Sequence, residues 1–80
     1  MSGPRRLAQP RTAAVAATVA GRPLAVDGDR VESVRETWLV EDLWWTRAPL
    51  RRRYWEVVTS RGHDMVVFHE LERGGWFAQR

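Results

Sequence analysis

Eighty residues hold one domain at most, and a chain of this size buries only about 60% of the surface its unfolded form exposes, so every large side chain counts. The apolar share of 44% suits a folded core, and five tryptophans, two phenylalanines and one tyrosine supply much of it. With no cysteine a disulfide framework and a thiolate zinc site are excluded, and all thirteen basic residues are arginine against ten acids, a net charge of +3 that mildly favours anionic partners.

Met1 to Thr12 carries two prolines, three arginines and few bulky apolar residues, which reads as a flexible basic tail, leaving 13–80 as a single small β domain. Arg5 and Arg6 precede an alanine-rich stretch, yet Pro10 and Arg11 interrupt it and it lacks leucine and phenylalanine, so no signal peptide is expected. No apolar run approaches the roughly 20 residues that span a bilayer, and a cytoplasmic location without membrane contact is the expectation.

Ala13 to Val19 mixes helix-favouring alanine with Val15, Thr18 and Val19, and the turn signal Gly21-Arg22-Pro23 tips it towards a strand. Leu24-Ala25-Val26 then forms the return of a tight hairpin before Asp27-Gly28. From Arg30 to Val40 alternation predicts a strand with Val34, Trp38 and Val40 on one face. Glu41 to Pro49 reads as a structured loop. Arg51 to Thr59 and Met65 to Leu71 are β-rich runs around Ser60-Arg61-Gly62-His63, the firmest hairpin in the chain, and Trp76 to Gln79 follows the Gly74-Gly75 turn. The expected fold is mainly β: a small antiparallel meander of about five or six strands, as a curled sheet or open barrel.

Chemistry concentrates between Trp44 and Trp55, where Trp44, Trp45 and Tyr54 accompany Arg47, Arg51, Arg52 and Arg53 without an intervening acid. Guanidinium groups beside aromatic faces suit protein docking, and they also suit nucleic acid, where stacking contributes about 1–3 kcal/mol per base. In a strand Arg51, Arg53 and Trp55 project to one face and Arg52, Tyr54 and Glu56 to the other. The competing structural reading puts Trp44, Trp45 and Trp55 in the core, with the arginines pairing with Glu41, Asp42 and Glu56.

His63 and His69 lack companions at metal-ligand spacing, and phosphate-binding glycine loops and nucleophile motifs are missing from the sequence. No catalytic residue, metal or cofactor is therefore expected.

The run Gly21-Arg22-Pro23-Leu24-Ala25-Val26, then Trp38, Glu41-Asp42-Leu43-Trp44-Trp45 and Arg51-Arg52-Arg53-Tyr54, resembles the C-terminal segment of ImuB-type proteins. The likeness continues through Val57-Val58, Gly62, Leu71 and Gly75-Trp76, and it extends to a group of small standalone bacterial proteins of unknown function. ImuB-type proteins are catalytically inactive homologues of Y-family DNA polymerases that act as adaptors in translesion mutagenesis. The resemblance implies a tail module without the polymerase body, acting by association in DNA-damage tolerance, and it assigns no residue roles. The expected function is a non-enzymatic adaptor binding a protein partner of a repair or replication assembly, with self-association as one form. The alternative is DNA binding through the arginine and aromatic run.

Overall fold

The computed structural model describes residues 9–42 and 45–79. Among them lie seven strands and no helix: β1 (Arg11–Thr12), β2 (Val15–Ala17), β3 (Pro23–Val26), β4 (Asp29–Asp42), β5 (Leu50–Thr59), β6 (Asp64–Glu70) and β7 (Trp76–Ala78). All pair antiparallel in the order β1-β7-β6-β5-β4-β3-β2. The expected mainly β fold is thus observed, with seven strands in place of five or six.

The extra strand arises because the first β segment is split. β1 pairs with β7, whereas β2, two residues further on, pairs with β3. Ala13 donates its N–H to the Trp76 carbonyl and the Ala14 carbonyl accepts from Asp27, so adjacent residues serve opposite ends of the sheet and curl it into a half-barrel. The chain therefore enters the sheet at Arg11, inside the segment expected to be tail; the remainder of that tail up to Ala8 lies outside the described residues.

Turn chemistry positions the hairpins. Asp27 and Gly28 have φ of 51° and 84°, both in the left-handed region, as a two-residue turn matching strand twist requires. Gly62, at φ 83°, closes the β5–β6 loop, where Thr59 N–H meets the His63 carbonyl at 2.9 Å.

β4 departs from simple alternation. Register steps from Val31↔Thr59 to Ser33↔Val58 and from Val34↔Val57 to Glu36↔Glu56, so Glu32 and Arg35 are bulged residues. A bulge places two residues against one and bends the strand, and here it moves Val34 to the opposite face from Trp38. The single apolar face of Val34, Trp38 and Val40 expected from the sequence is corrected accordingly.

The inner face holds the core. Val26, Val67 and Ala78 are buried together, with Ala13, Val15, Val31, Trp55, Met65 and Trp76 packed against them. Val57, the registered partner of Met65 and Val34, is also fully buried.

Candidate functional site

Within β5 the alternation holds as expected. Arg51, Arg53 and Trp55 lie on the inner side, and Arg52, Tyr54 and Glu56 on the outer side, each set continued by its registered partners in β4 and β6. The arginines consequently do not share one surface. Arg51 Nε donates to Glu41 at 2.9 Å and its Nη1 lies 3.5 Å from Glu72. Arg52 Nε donates to Glu70 at 2.7 Å, its Nη1 meets the Tyr54 hydroxyl at 3.3 Å, and its guanidinium lies 4.6 Å from the centre of the Phe68 ring. Burial works against the Arg52 charge, but the Tyr54 hydroxyl and Glu70 outweigh it and hold the guanidinium above its ordinary range.

Arg53 stands between Leu39 and His69, and Arg47 is exposed in the β4–β5 loop; neither has a carboxylate partner among the described residues. Trp45 is 63% exposed, so it does not fill the core, while Trp55 does pack there. Trp44 lies outside the described residues. The candidate run is thereby divided between two faces and a loop, with two of its four arginines already paired to acids.

Sequence reasoning passed over a half-buried aromatic ladder on the outer face. On the outer face Trp38, Tyr54, Phe68 and Phe77 are registered side by side across β4, β5, β6 and β7. Ring centres are 5.3 Å apart for Trp38–Tyr54, 4.9 Å for Tyr54–Phe68 and 5.2 Å for Phe68–Phe77, distances at which aromatic pairs attract. Every substantial contact between strands is between sheet neighbours, apart from β3 meeting β5, so no second layer of strand covers this ladder among the described residues. The signal available in the sequence was the matching parity of Tyr54 in β5 with Phe68 in β6; Trp38 and Phe77 could be aligned only with the register known.

Carboxylates border the ladder. Glu36 and Glu56 face each other directly in the next row, an arrangement that is unfavourable without a counter-charge, and neither has a cationic partner among the described residues. β4 also has an open side. Only Asp29 and Arg30 pair with β3, so from Val31 to Asp42 β5 is its sole strand partner among the described residues.

Ser60, Asp29 and His63 have the composition of a hydrolytic triad but not its connectivity. Ser60 Oγ donates to Asp29 Oδ1 at 2.8 Å, and Asp29 Oδ2 lies 3.6 Å from His63 Nδ1, so the carboxylate stands between the two groups that would have to exchange a proton. Desolvation opposes the Asp29 charge, yet hydrogen bonds from the Thr59 and Ser60 hydroxyls and the Arg61 backbone, with the Arg61 charge, leave its pKa below the ordinary carboxylate range. This carboxylate fastens the β5–β6 turn to the start of β4. Among the described residues no group of three His, Asp or Glu side chains is arranged to hold a metal ion.

No family model, curated protein or solved structure matches the chain. No described helix is long and apolar enough to cross a membrane.

Proposed function

We propose that this chain is a non-enzymatic protein-docking module, and that it serves as an adaptor within a larger cytoplasmic assembly. The observation that carries the reading is the four-ring outer ladder, half-buried at Trp38, Tyr54 and Phe77, on a sheet face that no second strand layer covers among the described residues and bordered by Glu36 and Glu56. Aromatic surface with a polar rim is the composition of a protein interface. A phosphate backbone would meet carboxylates there. The resemblance to the ImuB-type C-terminal segment supports an assembly concerned with DNA repair or translesion synthesis.

Direct DNA binding is the second reading, favoured by one inner-face feature: Arg53, without a carboxylate partner among the described residues, beside His69, whose ring stacks on Trp76 at 4.6 Å and 3°. Photocrosslinking separates the two. A photoreactive residue replacing Val40, in the outer row next to the ladder, should capture a defined protein in producing cells, whereas one replacing Arg61, in the β5–β6 turn, should not. The purified domain should then bind that protein and leave tryptophan fluorescence unchanged on titration with single-stranded or duplex oligonucleotides. Salt-sensitive quenching by DNA, with no protein bound by the purified domain, would overturn the docking reading.

A further inference from the structure

The straight part of β4 beyond its second bulge, Glu36 to Asp42, contains Glu36, Glu41 and Asp42 and no basic residue. Its side away from β5 has no strand pairing among the described residues. An open edge of this length offers a row of backbone N–H and C=O groups, which natural proteins usually blunt. Here the two bulges at Glu32 and Arg35 blunt only the first half of the strand.

The charge on this edge decides what can pair with it. A second copy laid antiparallel on the same seven residues would set Glu36 opposite Asp42 at each end and crowd the acids of both copies along one seam, and directly opposed like charges destabilise a strand pair. A basic strand meets the opposite situation. Its cationic side chains would enter the row of Glu36 and Glu56, relieving the unfavourable pair, while an apolar side chain in the neighbouring row would extend the ladder from Trp38. Glu41 is less available, since Arg51 already engages it at 2.9 Å.

We propose that the Glu36–Asp42 edge of β4 accepts an extended basic peptide segment by strand addition, with an arginine or lysine placed two residues from an apolar residue so that both lie on the outer face. This inference rests on the docking reading and names the form of partner that the site would take. Main-chain hydrogen bonds provide the attachment, and the acidic row and Trp38 provide selectivity.

Fluorescence anisotropy with three labelled octapeptides tests it: an Arg-Thr-Val-Thr repeat (the Arg-Val peptide), which sets Arg and Val on one face, the same repeat with Glu for Arg (the acidic peptide), and the Arg-Val peptide with alternate backbone nitrogens methylated on the pairing side. Only the first should bind with measurable affinity, salt should weaken it, and methylation should cost at least about tenfold. Replacing both Glu36→Gln and Glu56→Gln should cost about fivefold while leaving the fold intact by circular dichroism. In hydrogen exchange the bound Arg-Val peptide should slow amides within Glu36–Asp42. Equal binding of the acidic peptide, indifference to methylation, or failure of the Arg-Val peptide to bind would overturn strand addition. So would a sedimentation result in which the protein alone forms a dimer abolished by altering this edge. A captured protein that binds the outer face while all three peptides fail would leave the docking reading standing and remove only the strand-addition inference.

Discussion

Phe68 has an exposure of only 1% although it belongs to the outer face. Tyr54 and Phe77 flank it and the Arg52 guanidinium lies over its ring, so a binding face and a buried apolar centre share one side chain. Truncating Phe68→Ala should therefore cost about 3–5 kcal/mol, a large part of the roughly 4–12 kcal/mol available to a chain of this size. Urea denaturation followed by tryptophan fluorescence will measure it, and a loss under about 1 kcal/mol would show that the ladder does not support the fold. Asp27 gives a test of the half-barrel corner. Its carboxylate accepts from the Ala14 N–H and from Arg11 Nη1, both at 2.9 Å, and these bonds, the Ala14 bond first, lower its pKa. A folded pKa below the unfolded one adds stability above the ordinary carboxylate value of about 3.9, and that stability fades as pH falls through the folded value. Asp27→Asn, which tolerates the positive φ, should be less stable than wild type at pH 7, with the gap closing below about pH 4 in thermal melts.

Strand by strand, the extent of what could be read differs for physical reasons. β3, β5, β6 and β7 were legible because each lies between turn residues, and the parity of β5 was correct because no bulge interrupts it. β4 misled because Glu32 and Arg35 are ordinary charged residues, and nothing in their identity announces a bulge; only the register with β5 reveals it. The break at Ala13-Ala14 was hidden for a similar reason, since one alanine-rich segment serves both ends of the sheet through long-range bonds. The arginine run was legible as chemistry but not as a surface. Alternation separates Arg52 from Arg51 and Arg53, and the acids that neutralise Arg51 and Arg52 come from β4, β6 and the β6–β7 turn. Turn geometry yields a further prediction. A Cβ on Gly28 would meet no atom within 4 Å, so the cost of Gly28→Val is conformational, set by φ of 84°. It should destabilise by about 1–3 kcal/mol, seen as a lower melting temperature, whereas Gly28→Asn should cost much less.

At the scale of the whole molecule, two faces of one thin sheet carry different chemistry. The inner side is the core, extended at one end by Leu39, Arg53, His69 and Trp76; the outer side is an aromatic ladder with an acidic border. A domain this small gains by using apolar side chains both for cohesion and for contact, which accounts for an aromatic row half-buried by its own neighbours with no second strand layer over it among the described residues. The adaptor reading depends on that outer face, and the DNA reading on Arg53 and Arg47. The most direct measurement is the dissociation constant of the protein captured by crosslinking, taken for Glu56→Arg and Arg53→Glu, with folding checked by circular dichroism. The account predicts that Glu56→Arg weakens binding by at least about tenfold and that Arg53→Glu leaves it within a factor of about two. Loss on Arg53→Glu with no effect of Glu56→Arg would contradict it.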